Sequence, residues 1–350
     1  MADFGVGIVG AGTIGAVHAR AIGGLEEARI VAIAEPRENV GRALAAQCGA
    51  DWCASLDELL ARSDVDVVTL GTPSGMHPDQ AVAVARAGKH VVTEKPMAIT
   101  LDGADRMIAA CRDAGVHLAV IFQNRFNPDV LRLKRAMEAG LFGAPVLGNA
   151  FVHWYRSADY YAETGGWRGT WALDGGGALM NQSIHTIDLL QWLMGPLDSL
   201  AAYTATLEHE IEAEDVASAA VRFASGALGT IQGTTAAERN WPVRVEIRGT
   251  AGSATLEGVQ LTAWHPSREA DLLTPEDLAL TAGVGADEPF GAAHQRQFRA
   301  IFAALRDGRQ PPVPGEEARK AIEIILAIYR AARTGERVTF PLKEEASGRG

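Results

Sequence analysis

Gly10-Ala11-Gly12-Thr13-Ile14-Gly15 sets three glycines at GxGxxG spacing directly after the apolar run Val6–Val9 and at the head of a helical pattern. The glycines act separately. Gly10 permits a tight turn, Gly12 lets a pyrophosphate approach the backbone, and Gly15 lets helix and strand pack closely. The amides at the helix start, around Thr13 and Ile14, are then free to bind phosphate oxygens. Glu35 closes the next apolar run, where a carboxylate accepts hydrogen bonds from the hydroxyls of an adenosine ribose. Together these residues read as a site for a nicotinamide dinucleotide. A 2′-phosphate beside Glu35 would meet like charge, so NAD is favoured over NADP, although Arg37 could swing onto such a phosphate.

A turn of this kind needs a parallel sheet to hold it. From Phe4 to Phe122 short apolar runs alternate with helical patterns, and strands are predicted at Val6–Val9, Ile30–Ala34, Val65–Leu70, His90–Thr93 and His117–Phe122. Ser55 with Glu58 reads as a capping box, Thr100 as the start of a second helix, and Gly88 and Gly115 as helix stops. Ligands of open parallel sheets bind beyond the carboxyl ends of the strands. Three segments therefore matter: Gly71-Thr72-Pro73-Ser74-Gly75-Met76-His77, Glu94-Lys95-Pro96 and Gln123-Asn124-Arg125-Phe126.

After Gln123 the runs become longer and half polar, over 146–155, 200–207, 216–223, 228–235 and 243–247, with turns at Ser225-Gly226 and Ala251-Gly252. Two helices, about Ala292–Arg306 and Glu316–Arg333, follow; Pro266–Pro289 reads as a surface excursion and the tail after Lys343 as frayed. The fold class is α/β: a Rossmann domain with a doubly wound parallel sheet over residues 1–122, then an α+β domain over 123–350 with a large open, mostly antiparallel sheet.

Composition narrows the partners. The chain has 350 residues, 47% of them hydrophobic, enough for two domains. Lys and Arg number 32 against 43 Asp and Glu, and the net charge of −11 argues against nucleic acid and against an anionic membrane surface. No apolar stretch approaches a membrane span and no basic leader precedes the first strand, so a cytoplasmic protein is expected. Cys48, Cys53 and Cys111 lack the spacing of a zinc or redox pair, so neither a metal nor a disulfide is expected.

The glycine turn, the Thr72-Pro73 turn with His77, Glu94-Lys95-Pro96, and Gly175-Gly176-Gly177-Ala178-Leu179 leading to His185-Thr186-Ile187-Asp188 occur in one order along nearly the whole chain. In this the sequence resembles the glucose-fructose oxidoreductase, inositol dehydrogenase and MocA family. The resemblance implies a nicotinamide-dependent oxidoreductase acting on a secondary alcohol of a sugar, inositol, sugar acid or nucleotide-sugar, with the nicotinamide in a cleft between the domains. It also implies homo-dimers or homo-tetramers paired through sheet faces. Thr72, Pro73, Ser74, His77, Glu94, Lys95 and Gln123 then fall among the cofactor contacts.

Removing a hydroxyl proton as hydride leaves requires a base within reach. Lys95 is the leading candidate, because a cationic ring nearby and partial desolvation would make its neutral form accessible. Pro96 biases it toward extended backbone, aiming the side chain off the strand end. Asn181 and His185 lie four apart on a predicted helix and share one face. The family often has Asp where this chain has Asn181, so Asn181 is assigned to substrate positioning, and Lys95 and His185 share the proton transfer. Aromatic residues are dense from Phe151 to Trp171 in a chain with only 6% of them. His153, Tyr155 and Tyr160 suit a sugar ring and its hydroxyls. Arg125, Arg156 and Arg168 could receive a carboxylate or phosphate, or Trp167 and Arg168 could cover the cofactor as in some relatives. The Trp154-Tyr155-Arg156 segment and Asn181-Gln182 look most like relatives acting on nucleotide-linked N-acetyl amino-sugar uronates. Two other readings stay open: a glycosidase that oxidises its substrate transiently with tightly held NAD, and a non-catalytic sensor of dinucleotide or sugar.

Overall fold

The computed structural model describes residues 4–282 and 291–342, so the end of the expected excursion and the tail after Lys343 lie outside the described residues. The chain forms two compact units, Met1–Pro128 with Thr274–Arg319 and Asp129–Leu273 with Lys320–Gly350. They do not follow a single cut after Phe122.

The first unit opens with β1 (Phe4–Val9), α1 (Thr13–Gly23), β2 (Ala28–Ala34), α2 (Glu38–Cys48), β3 (Asp51–Cys53), α3 (Leu56–Leu60), β4 (Val67–Leu70), α4 (His77–Arg86), β5 (His90–Thr93), α5 (Leu101–Asp113) and β6 (Leu118–Val120). All strands are parallel, in the order β3-β2-β1-β4-β5-β6. The order reverses between β1 and β4, which opens the crevice that dinucleotides use in this topology. β4 is buried along its whole length, as expected of a strand covered on both faces. Ser55 caps α3 by accepting from the Glu58 amide, but the Glu58 carboxylate reaches the Ala54 amide rather than closing the box on Ser55.

The second unit contains α6 (Pro128–Glu138), β7 (Pro145–His153), α7 (Ala158–Ala162), α8 (Ile184–Met194), β8 (Leu197–Ala205), β9 (Val216–Phe223), β10 (Leu228–Thr234), β11 (Arg244–Gly249), β12 (Ser253–Glu257) and β13 (Gln260–His265). Then come α9 (Pro275–Thr281) and α10 (Ala292–Arg306), which belong to the first unit, and α11 (Gly315–Thr334) and β14 (Val338–Thr339). The eight-stranded sheet runs β13-β12-β11-β7-β10-β9-β8-β14 and is antiparallel except where β7 meets β10. α8 packs on one face, with Met194 against Gly148. On the opposite face the register places Leu228 beside Arg222 and Leu147, with exposed Tyr203 opposite Ser218.

α10 sits with the Rossmann sheet because its apolar face is part of that core. Phe298 and Phe302 are fully buried there, and Phe302 stacks on Phe4 at 5.7 Å. Burying each ring contributes about 2 kcal/mol. Part of the stretch expected as an excursion is α9, closed by a capping box between Thr274 and Asp277. Among the described residues no helix is long and apolar enough to cross a membrane.

Candidate active site

In the first unit the dinucleotide turn has the geometry its glycines require. Gly10 adopts φ +93°, and a methyl group on Gly15 would overlap the Gly10 carbonyl oxygen. Gly12 occupies the N-cap of α1 with no side chain capping the helix, and the space a Cβ would take there is open. A helix start with uncapped amides and a clear approach fits a pyrophosphate. Thr13 and Ile14 follow at the helix start.

Glu35 is buried and accepts from the Ala11 amide at 2.9 Å and from Arg37 Nε and Nη2 at 2.7 and 3.0 Å. The Arg37 hydrogen bonds hold its carboxyl down at about 2, so it is a permanent acceptor facing the glycine turn. Arg37 itself remains 62% exposed. Replacing Glu35 by Ser while keeping Arg37 is expected to move the ratio of kcat/KM values toward NADP by about 100-fold, by removing like charge and freeing a fork for phosphate. An unchanged ratio in steady-state assays with both cofactors would detach Glu35 from cofactor choice.

The strand-end segments are tied to each other. His77 is fully buried, and its ring nitrogens lie 2.9 Å from the Pro96 and Thr72 carbonyl oxygens, so it pins the turn after β4 to the loop after β5. Burial pushes its pKa down. Ser74 is buried in the same turn, and Thr72 donates to Gln80 at 2.6 Å. Glu94 is buried just beyond β5, with one oxygen 3.0 Å from His18 Nε2 and 3.6 Å from His294 Nε2 and the other accepting the Lys95 amide at 3.1 Å. Gln123 begins a 3-10 turn, and its buried Oε1 meets no hydrogen-bond partner among the described residues, leaving an acceptor for a ligand. Arg125 corrects an expectation: it is buried, and its Nη2 donates to Glu317 at 3.1 Å, so its charge is neutralised within the protein rather than held out for substrate.

In the second unit Glu214 organises the glycine-rich turn. Its two oxygens accept the Gly177 and Leu179 amides, while its own carbonyl accepts from Ala178. A methyl group at Gly177 would overlap that carbonyl, which explains the glycine. The expected single helix is in fact two pieces: Ala178–Ser183 is a π turn and α8 starts only at Ile184. The Ser183 hydroxyl donates to the Ala178 carbonyl at 2.9 Å and so competes with the α-helical ladder there. Asn181 therefore stands in the wide turn and His185 in the first turn of α8. Asn181 Nδ2 donates to Asp174 at 2.8 Å, and Gln182 Nε2 donates to the Tyr160 hydroxyl at 2.9 Å.

Desolvation raises the Glu214 carboxyl to about 7 despite its two amide donors. A folded pKa above the unfolded value means that the folded state binds the extra proton between about 4.5 and 7. Its contribution is present below that window and is lost as pH rises through it, about 3 kcal/mol in all. Melting temperatures from pH 5 to 7.5 should therefore fall more steeply in the wild type than in Glu214→Gln. Parallel curves would show that Glu214 does not titrate in this range.

Two guanidinium groups approach the Tyr160 ring, Arg168 at 4.2 Å and Arg156 at 5.3 Å from its centre. Arg156 also covers Trp154, and Arg168 lies 5.7 Å from the ring centre of Trp167. Beside them a cavity of about 840 Å³ is lined by Tyr155, Arg156, Tyr161, Arg168, His209 and Glu212. His153 ends β7, with its ring 5.9 Å from Phe151. Sequence reasoning named neither Asp174, Glu214, His18 nor His294. Asp174 had one available signal, an acid beside the glycine run; Glu214 and the two histidines had none. Among the described residues His18, Glu94 and His294 are the group close enough to share a metal, but the 3.0 Å His18–Glu94 distance is that of a hydrogen bond.

Residues 4–122 match the NAD-binding Rossmann fold of the oxidoreductase family GFO/IDH/MocA, and residues 130–255 match the GFO/IDH/MocA C-terminal domain. The solved WlbA dehydrogenase from Bordetella pertussis, in complex with NADH and UDP-GlcNAcA, is 37% identical with a TM-score of 0.89, covering 98% of this chain and 99% of that one. Myo-inositol 2-dehydrogenase of Thermotoga maritima is 28% identical over 98% of this chain and 99% of its own length. The 1,5-anhydro-D-fructose reductase of Ensifer adhaerens is 29% identical over 94% of this chain and 96% of its own. With the uncapped glycine turn and Glu35 in place, the chain is an NAD-dependent dehydrogenase acting on hydroxyl groups. It belongs to the GFO/IDH/MocA family of oxidoreductases.

Proposed function

We propose that this dehydrogenase oxidises a secondary hydroxyl of a nucleotide-linked amino-sugar uronate, the class to which UDP-GlcNAcA belongs. The observation that carries the reading is the 37% identity, over 98% of the chain, to the dehydrogenase solved with NADH and UDP-GlcNAcA. The arginine-flanked Tyr160 and its hydrogen bond to Gln182 support it, because a uronate diphosphate needs cations in a chain whose net charge is −11.

Gly10, Gly12, Thr13, Ile14, Glu35, Arg37, Thr72, Pro73, Ser74, Lys95 and Gln123 hold the cofactor in this reading, with Trp167 and Arg168 as its cover, while His77 and Glu94, whose polar atoms are spent within the protein, brace the loops that meet it. Bound NAD supplies the hydride acceptor. Lys95, at the end of β5, takes the proton from the hydroxyl that is being oxidised, and His185 shares that transfer. Asn181 orients the sugar through its amide, His153, Tyr155 and Tyr160 bind its ring and hydroxyls, and Arg156 and Arg168 receive its anionic groups.

The same reading makes the enzyme a cytoplasmic homo-oligomer. Free Cys48, Cys53 and Cys111 suit a reducing compartment. A second copy laid on the open face of the eight-stranded sheet would cover Tyr203, Leu228 and Leu147, which are 83%, 52% and 39% exposed. The deciding experiment measures the absorbance of reduced nicotinamide with UDP-GlcNAcA, free N-acetylglucosaminuronate, myo-inositol and 1,5-anhydro sugars, each with NAD and with NADP. The reading expects UDP-GlcNAcA with NAD to give the highest kcat/KM. A higher value for an unlinked polyol would overturn it.

A further inference from the structure

Glu94 has no partner role in the proton transfer just described, yet it is buried and spends both oxygens. Oε1 lies 3.0 Å from His18 Nε2 on α1 and 3.6 Å from His294 Nε2 on α10. His18 is in turn fixed on its other side, where Nδ1 lies 2.8 Å from Thr69 Oγ1 on β4, and its ring meets the edge of Phe298 at 5.1 Å. Oε2 accepts the backbone amide of Lys95 at 3.1 Å. One carboxylate thus joins α1, α10 and the loop just after β5.

We propose that Glu94 is a positioning residue for Lys95: clamped by His18 and His294, its carboxylate fixes the Lys95 backbone and supplies the fixed negative charge against which the Lys95 ammonium loses its proton. Burial alone would raise the Glu94 carboxyl, but the His18 and His294 hydrogen bonds outweigh it and hold it well below the usual range, so the charge is present throughout the working pH. The ionisable groups that act on it are His18 from α1 and His294 from α10, and His77 from α4 feels the charges of both Glu94 and Lys95. Removing the charge leaves the ammonium less favoured, so Lys95 becomes a base at lower pH.

The inference rests on Lys95 being the base. Glu94→Gln keeps the size and the hydrogen-bonding reach but removes the charge. Glu94→Asp keeps the charge but is too short to hold both histidines and the Lys95 amide. Two readouts separate the effects: the pH profile of kcat, and the pH at which Lys95 is half labelled by an amine-specific reagent in the enzyme without cofactor, read by peptide mass. Glu94→Gln should move both midpoints down by about half a pH unit or more, while Glu94→Asp should lower kcat and leave both midpoints in place. Midpoints that stay put in Glu94→Gln, or move equally in both variants, overturn the inference. Should Glu94→Gln fail to fold, amide exchange in the wild type decides, because the Lys95 amide must be protected if Glu94 holds it. Rapid exchange overturns the clamp, and so does a stoichiometric divalent metal in the purified enzyme that a chelator removes. If Lys95→Ala leaves turnover intact, it is the base assignment that fails, and the labelling experiment still reports on Glu94 alone.

Discussion

Lys95→Ala is expected to lower kcat by about a thousandfold while the affinity for NADH, followed by quenching of protein fluorescence, stays within about threefold of the wild type. The size follows from the role: a positioned base contributes between a hundredfold and ten-thousandfold, and without it the hydroxyl proton must leave to water. In the proposed reading cofactor affinity survives because the pyrophosphate and ribose are held mainly elsewhere, at the uncapped start of α1 and at Glu35. Lys95→Arg sharpens the test. An arginine retains the positive charge but does not deprotonate near neutrality, so it should be as inactive as the alanine variant. An active arginine variant would mean that the charge, not the base, carries the rate. Equal losses of turnover and NADH binding in Lys95→Ala would mean that the residue holds the fold of the loop after β5.

What the sequence made legible depended on whether the information was local. The glycine turn and Glu35 could be read because the turn is contiguous and the strand between them is a plain apolar run. β5, β9 and α10 fall on their expected bounds for the same reason: each has an unbroken period and clear stops. β3 and β14 are too short to show a period, and β12 and β13 lie where alternation is blurred by partly buried residues on both faces. α9 was hidden by its acidic composition, although its Thr274–Asp277 box was there to be read. The candidate site was half legible. Lys95, His77 and His185 stand in motifs, but the partners that fix them come from distant parts of the chain: His294 meets Glu94 across most of the first unit's sequence, and Glu214 meets the glycine run from beyond β8. Buried polar pairs of this sort are set by three-dimensional proximity, which no spacing rule encodes. The break between the π turn and α8 had a local cause in Ser183, yet serine inside a helical pattern is too common to signal one.

Asn181→Asp looks conservative in sequence and is not so in this fold. Asn181 Nδ2 donates to Asp174 Oδ1 at 2.8 Å, and Asp174 is 1% exposed, with its other oxygen accepting the Gly169 amide. An aspartate at this position replaces a donor with a second acceptor, so two carboxylates meet at hydrogen-bond distance with little water between them. They cannot both ionise without strong repulsion, and one of them must keep a proton to restore the contact. The pair's upper folded pKa is then raised above the unfolded value near 4, so the penalty is small in acid and grows as pH rises toward that folded pKa. We expect a loss of about 4 kcal/mol at pH 8, shrinking to about 1 kcal/mol at pH 5, in line with the cost of breaking a buried charged contact. The measurement is the melting-temperature difference between wild type and variant across that range. A difference independent of pH would mean that the new carboxylate turns away from Asp174, and a stable, active variant at pH 8 would show that Asn181 is held by something other than Asp174. Asp174→Asn in the same background supplies the converse: by giving the new carboxylate a donor again it should recover most of the lost stability at pH 8, which separates the charge contact from any general disturbance of the π turn.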